Sequence, residues 1–484
     1  MKNRRSFHWW MLLYLLPIFF KGERVAAEHT VYIPQAVTQG NFFDHWLEEP
    51  AQAGVTLRGR HERALDSSSL GRFVGPDSKD EFTIGPRYLS DLFTSHFIHL
   101  FPGNEKQSVK IQPTHVLQKM ELGLWGNITP AAWSARKHLG IFALLDAVSV
   151  EQQLGAYWRP IENKRLGLER DYQDFFEGRY SSNNATILQT NLLYQKFTTA
   201  NMRDSGLSSL TVGTFFQHTL KDAWIWRVQG LCSIPCGEKH SAEYLLKPRR
   251  NMGRHYGLGA AVDLKVPLWR SLQAEIGLRD LFWIGAEEMR TVGIKSRPFS
   301  YYIALGKQRQ QNEPVFPAAN VLTQECMVRP GHAMSMNFAL KGKFSDTHQV
   351  FARWAGTYKE AERISLVNNW PSSSYAVVSG GYSTNQPLEP VGVFPRYIRF
   401  DILEPALPIG DAAFLQYKDL DFSVAGMPSL FEHRVEIGWQ GWVRLPGGTV
   451  MRPSATLGAR IMQGENAYFL PNIFIGEMGI SLLF

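Results

Sequence analysis

From Tyr256 to Leu278 the chain alternates apolar and polar residues with period two. Tyr256, Leu258, Ala260, Val262, Leu264, Val266 and Leu268 share one face, and Gly257, Gly259, Ala261, Asp263 and Lys265 share the other. After a turn at 269–271, Leu272, Ala274, Ile276 and Leu278 repeat the apolar face, opposite Gln273, Glu275, Gly277 and Arg279. Helical periodicity fits neither stretch, because apolar positions recur at two and not at three or four. Charges at every second position are hard to bury in the core of a sandwich. They are natural on the water side of a barrel whose other side faces lipid.

The pattern recurs along the chain. Met120, Leu122 and Leu124 alternate with Lys119, Glu121 and Gly123, and Met334, Met336, Phe338 and Leu340 with Ser335, Asn337 and Lys341. Val350, Ala352 and Trp354 alternate with Gln349 and Arg353, although Phe351 breaks the polar face. Val435, Ile437 and Trp439 oppose Arg434 and Glu436, and Ala455, Leu457, Ala459 and Ile461 oppose Thr456, Gly458 and Arg460. The expected fold class is all-β, a transmembrane antiparallel up-and-down β-barrel of 14–18 strands. The sixteen segments counted back from the end include 412–424, 394–403, 320–328, 299–307 and 186–198. The expected pore-lining residues are Lys119, Glu121, Asp263, Lys265, Glu275, Arg279, Lys341, Arg353, Arg434, Glu436 and Arg460.

Connection lengths test the idea, since such barrels alternate short turns with long loops. The turns near 220–221, 269–270 and 343–346 fall on one side, and the long segments 232–254 and 359–393 on the other. Two connections resist, 329–331 as a short loop and 153–185 as a long turn. Trp125, Trp158, Trp224, Trp269, Trp283, Trp354 and Tyr397 fall near expected strand ends, where aromatic rings suit a lipid headgroup layer.

Composition agrees once the amino terminus is set aside. The longest apolar run, Trp9 to Phe20, is too short for a membrane helix, which needs roughly 20 residues. Preceded by Lys2, Arg4 and Arg5 and followed by Val25-Ala26-Ala27, it has the form of a secretory leader, with cleavage expected after Ala27. Residues 1–27 hold a net +4, so the formal +7 falls to +3. No dense Lys/Arg stripe remains to hold nucleic acid. The mean hydropathy of −0.21 is what alternating strands average to. Residues 28–110, with Pro34, Pro50, Pro86 and Pro102, read as a periplasmic extension, a plug or early strands, ahead of a barrel over 111–484.

The last strand carries the sharpest pattern. Met478, Ile480, Leu482 and Phe484 lie on one face, Glu477, Gly479 and Ser481 on the other, and the sequence stops at the aromatic. Through Glu477, Gly479, Leu482 and Phe484 the chain resembles the outer-membrane β-barrel proteins of Gram-negative bacteria. These proteins end in a polar–x–Gly–x–x–hydrophobic–x–hydrophobic signal. The resemblance implies export to the outer membrane, contact with its lipid and recognition by the barrel-assembly machinery. It also implies the homo-oligomers common among porins.

Cys232 and Cys236 form a C-x3-C pair, and Cys326 stands alone. In an oxidising compartment the pair reads either as a loop disulfide or as two free thiols. No G-x-S-x-G, H-E-x-x-H or Walker A motif occurs, and Asp401 and Glu404 read as strand carboxylates rather than an acid–base pair. Neither an enzyme nor a cofactor or metal is expected. A barrel of 16–18 strands leaves an aqueous channel. The expected function is therefore a porin-like channel for passive diffusion of small polar solutes. A non-conducting structural or surface-interaction barrel is the first alternative. A transporter of an apolar ligand with an amino-terminal hatch is the second. The loop Asn368 to Pro395 reads as a surface loop, with an inward constriction as the alternative.

Overall fold

In a computed structural model of the chain, residues 53–65, 81–85, 92–93, most of 107–379, 399–400, 414–464 and 473–484 are described. The leader at 1–27, Tyr397, Asp401 and Glu404 lie outside these residues, as does the stretch 380–395. Twelve strands close into one antiparallel barrel. They are β1 (Ala53–Ala64), β2 (Thr114–Asn127), β3 (Lys137–Gln153), β4 (Met202–Thr219), β5 (Ile225–Pro235) and β6 (Gly257–Pro267). The circuit continues with β7 (Leu272–Trp283), β8 (His332–Ser345), β9 (His348–Lys359), β10 (Leu430–Gly441), β11 (Val450–Gly464) and β12 (Ile473–Leu483). Each pairs with its neighbours in sequence, and β12 returns to β1 through pairs running from Gly54↔Leu483 to Ala64↔Ile473. Closure leaves no unpaired edge, the condition for backbone in hydrocarbon.

The fold class is as expected, but the strand count is twelve and not 14–18. Five expected segments, 186–198, 299–307, 320–328, 394–403 and 412–424, lie outside the barrel. Where described, they form short strands, 3-10 turns and the helix α1 (Ala318–Leu322) in long connections. Segments 299–307, 320–328 and 412–424 are apolar because they help build a second, ordinary core. Val292, Leu305, Leu322, Cys326, Trp370, Leu415 and Leu420 bury there together. One strand is gained: β1 lies within 28–110, so residues 53–64 belong to the barrel wall.

With these changes the connections sort cleanly. The turns 128–136, 220–224, 268–271, 346–347 and 442–449 share one end with both barrel termini, where the Phe484 N–H donates to the Ala53 carbonyl at 3.0 Å. The connections 65–113, 154–201, 236–256, 284–331 and 360–429 emerge at the other end. The two exceptions disappear, since 153–185 joins a long loop and 329–331 ends another. These loops pack on one another. The Tyr302 hydroxyl donates to the Gln195 carbonyl at 2.9 Å, and the Leu193 N–H donates to Asn320 Oδ1 at 2.7 Å. Phe176 and Phe197 stack, and Tyr302 meets both edge-on, with ring centroids 4.9–5.4 Å apart. Loops from hairpins that are not neighbours therefore meet as a cap over one mouth.

The barrel wall inverts the usual arrangement. Glu436 is 1% exposed, while Val435 and Ile437 beside it are 52% and 64% exposed. Leu258, Leu278, Leu457 and Met478 are likewise exposed. An apolar exterior around charged interior positions is the exterior of a transmembrane barrel.

Trp224 and Trp269 do project at the turn end, and Trp354 shares the outward register of Phe338 and Val435. Trp158 lies in the short strand Ala156–Pro160. Trp125 and Trp283 depart from expectation. Both are 6% exposed and point inward, each opposite a glycine of the neighbouring strand, Gly54 and Gly257. A Cβ on Gly54 would lie 2.5 Å from the Trp125 indole nitrogen, so the ring is seated on the bare backbone. Phe351 breaks the polar face for the same reason: its ring covers Gly438 on β10.

Candidate functional site

The lumen is built by alternation, since successive Cβ atoms in a strand point to opposite faces. All eleven expected charged residues point into it. Arg58, Arg60 and Glu62 on β1, Asp146 on β3, Arg227 on β5, Glu432 on β10 and Arg452 on β11 join them. The β1 trio was hard to find because the apolar outward run of Val55 and Leu57 stops there, giving way to Gly59, His61 and Arg63. Pro453 obscures Arg452 in the same way.

These charges form a belt of ion pairs that crosses strand after strand. Arg353 on β9 meets Glu436 on β10 at 3.4 Å, and Glu436 also binds Arg434. Arg434 reaches Glu477 on β12 at 3.6 Å, and Glu477 holds Arg60 on β1 at 2.7 Å. Arg460 on β11 lies between Glu62 at 3.2 Å and Glu432 at 3.9 Å, and is itself 0% exposed. The belt continues through Arg58–Glu121 at 3.8 Å, Lys119–Glu121 at 3.2 Å and Lys119–Asp146 at 3.1 Å. Here six bases face six acids. A second group holds Arg227 and Gln229 on Asp263, at 3.1 and 2.6 Å, with Arg279 nearby. Lys341 pairs with Glu275 at 2.8 Å.

Size accounts for the tightness. Twelve strands about 4.8 Å apart and tilted about 40° give a barrel about 24 Å across between backbones. Long side chains from facing walls nearly meet at that diameter. Arg279 on β7 feels Glu121 on β2, almost opposite. The wide aqueous lumen expected of 16–18 strands is therefore replaced by a narrow one filled with paired charge. Stability does not require this filling, because a buried ion pair is often no better than apolar side chains of the same volume.

Where the barrel meets the cap sits a separate charged knot. Arg290 binds Glu288 at 2.7 Å and Glu362 at 3.3 Å, and Lys359 reaches Glu362 at 3.5 Å. Glu362 also accepts from the Met427 N–H at 3.1 Å. Burial works to raise the Glu362 carboxyl, but Arg290 and Lys359 outweigh it and hold it below the usual carboxylate range.

The four terminal-signal residues sit on or beside β12. Glu477 and Gly479 point inward, and a Cβ on Gly479 would meet Ser454 at 2.9 Å. Leu482 shares the outward register of Ile480, and Phe484 is 56% exposed. The disulfide reading fails: Cys232, Cys236 and Cys326 are all free thiols. Residues 232–235 are extended strand, so four residues carry the chain about 13 Å, beyond the Cα separation of about 7 Å that a disulfide tolerates. Cys232 shares the outward register of Val212 and Leu258, while Cys236 is exposed just beyond β5.

No protein-family model matches the chain, and no curated protein matches it. Among solved structures it is similar to an outer-membrane channel of Pseudomonas putida F1, at 7% identity and a TM-score of 0.41, covering 90% of this chain and 97% of that one. It is also similar to the transport unit of the autotransporter AIDA-I of Escherichia coli, at 8% identity and TM-score 0.36, covering 95% and 100%. The toluene transporter TodX of Pseudomonas putida aligns at 6% identity and TM-score 0.28, covering 90% and 89%. Likenesses this distant bear on neither activity nor ligand.

Proposed function

We propose that the protein is an outer-membrane channel that conducts small polar solutes and ions through a narrow, charge-lined lumen. The ion-paired belt supports this reading. An interior lined from nearly every strand by charge gains little stability over an apolar filling. It gives instead a hydrated path whose opposed charges select by size and sign. On this reading the leader is cleaved after export, the turn end is periplasmic and the cap extracellular. The terminal strand, ending in Phe484, is then what the barrel-assembly machinery recognises, and the task is transport rather than catalysis.

The purified protein in planar bilayers tests it. Small, discrete conductance steps are expected, below those of a wide porin. The burial of the belt, with Arg460 and Glu62 at 0% and 1% exposed, favours a second reading, a closed structural barrel. Bilayers that stay silent at all voltages would decide for that one.

A further inference from the structure

The outer wall is not apolar all the way round. On β8 the outward register carries no polar side chain from Phe344 at the turn end to Met334 at the cap end. On β1 the apolar run ends at Leu57, and the next outward positions are Gly59, His61 and Arg63, all exposed. Gln118 of β2 pairs with His61 and is outward and exposed as well. At about 2.6 Å of height per residue in a tilted strand, Arg63 stands about 20 Å above Val55. Counted from Val55, this polar notch therefore falls in the upper part of an apolar band about 25 Å tall.

A groove of about 1210 Å³ leads away from the notch and follows one row of the strand register. The row runs from Lys119 on β2 through Arg60, Glu477, Thr456 and Gly438 to Phe351 on β9, each paired with the next. These residues belong to the inward register, so their backbone is the groove's floor. The outward residues before and after each of them are its walls. His61 and Gln118 form its cap-side end, and Leu272 and Gly342 its turn-side end. Strand tilt makes each step to the next strand descend about 3 Å, so the groove slants down the wall. Near the notch its walls are cut away. A Cβ on Gly59 would meet nothing within 4 Å, and one on Gly476, paired with His61, only the Phe474 ring at 4.0 Å. Farther along, Met478, Leu457, Ile437 and Val350 line it, all exposed.

We infer that this wall seats one phosphorylated lipid at a fixed place, its head group on Arg63, His61 and Gln118 and an acyl chain in the groove. The inference rests on the transmembrane wall and not on conduction. A guanidinium facing hydrocarbon is costly unless it meets an anion. A lipid phosphate supplies that anion from the head-group layer of the cap-side leaflet, and the guanidinium fork holds two of its oxygens at once. The His61 ring and the Gln118 amide place further N–H donors just below, at the level of the head group's ester oxygens. The chain then descends past Gly59 and Gly476, where no side chain stands in its way. The described outward positions of β12, β1 and β2 carry no carboxylate to compete for Arg63.

Native mass spectrometry of the full-length protein, released from mixed detergent micelles, tests this with dioleoylphosphatidic acid and dioleoylglycerol. The two share their chains and differ in the phosphate. Phosphatidic acid is expected to be retained, one per protein, and dioleoylglycerol to be lost. The double variant His61→Ala, Arg63→Ala should weaken retention about tenfold, the loss of a charge-assisted pair. Gly59→Leu fills the groove beside the head group and should weaken it comparably with the charges left in place. Gly476→Leu takes its role if circular dichroism shows that Gly59→Leu does not fold. Equal retention of the two lipids overturns the head-group site and leaves ordinary bilayer contact. Retention of phosphatidic acid untouched by the double variant overturns it too, since the phosphate then binds elsewhere. Retention untouched by the glycine variants overturns the groove as the seat of the chain.

Discussion

Single residues in this protein take their character from which side of the wall they occupy. Cys326 is packed at 0% exposure in the cap core, and burial, aided by Glu325 and opposed by Arg290, pushes its thiol up to about 12. The thiolate is the reactive form, so at pH 8 only about one molecule in ten thousand carries it. Cys236 is exposed and free. Maleimide treatment of the folded protein at pH 8, read by mass spectrometry, is expected to modify Cys236 within minutes and to leave Cys326 unmodified until the protein is denatured. Rapid labelling of Cys326 in the folded state would contradict the packing. Sequence reasoning went furthest where charge marked the inward side, as at Lys119 and Glu436. It went astray where a large ring faced inward, as at Trp125. An indole suits a lipid interface and a glycine seat equally well, and only the strand register tells them apart.

Five aromatic rings face inward opposite glycines across strand pairs, and these pairs are a property of elements and not of residues. Phe215 pairs with Gly140, Phe142 with Gly213, Phe351 with Gly438, Trp125 with Gly54 and Trp283 with Gly257. A ring laid on a glycine shields its bare backbone and pins the register of two strands. The first two pairs are reciprocal, since both join β3 to β4. A Cβ at Gly140 would fall 2.3 Å from the Phe215 ring and 2.6 Å from the Gly126 carbonyl oxygen, so neither side chain nor backbone has room. Gly140→Val is therefore expected to lower the yield of folded barrel severely, whereas the same change at Gly59, where nothing lies within 4 Å, should be tolerated. Refolding yield followed by far-UV circular dichroism distinguishes them, and equal yields would remove the ring-on-glycine account. The same scale explains the miscounted strands. Period-two alternation identifies a wall strand with one lipid face, and β6 and β7 were legible by it. It fails for β1, whose outward side is apolar only at Val55 and Leu57 before Gly59, His61 and Arg63. It also admits short strands such as Thr323–Arg329, which are apolar because they pack in the cap.

At the scale of the whole molecule, two bodies of opposite construction share one chain. The wall is held by a closed ladder of backbone hydrogen bonds with charge inside, and the cap by a conventional apolar core around Leu322 and Trp370. They are joined by the knot of Arg290, Glu362, Glu288 and Lys359, tied to the backbone at Met427 and, through Arg290, at the Ala425 carbonyl, and by the packing of Met427 on Leu430, Ile473 and Ile475. Glu362 stands below its ordinary range in the folded protein, so its ionised form favours the folded cap. That contribution is present in full above the unfolded value, near pH 4.3, and is lost as pH falls through the depressed folded value. Acid should therefore loosen the cap. Hydrogen exchange in peptides from 284–331 and 414–429 is expected to accelerate as pH falls below about 4, after correction for the intrinsic rate. Other carboxylates of the chain are protonated in acid too, so the wild-type profile alone does not isolate Glu362. The variant Glu362→Gln does. It leaves Lys359 facing a neutral amide and Arg290 held by Glu288 alone, and should show the loosened cap already at pH 7. The β9 and β10 amides of the wall should stay protected in both proteins. A variant with wild-type exchange at pH 7 would show that the apolar core alone holds the cap. Loss of protection in β9 and β10 together with the cap would show that wall and cap open as one unit.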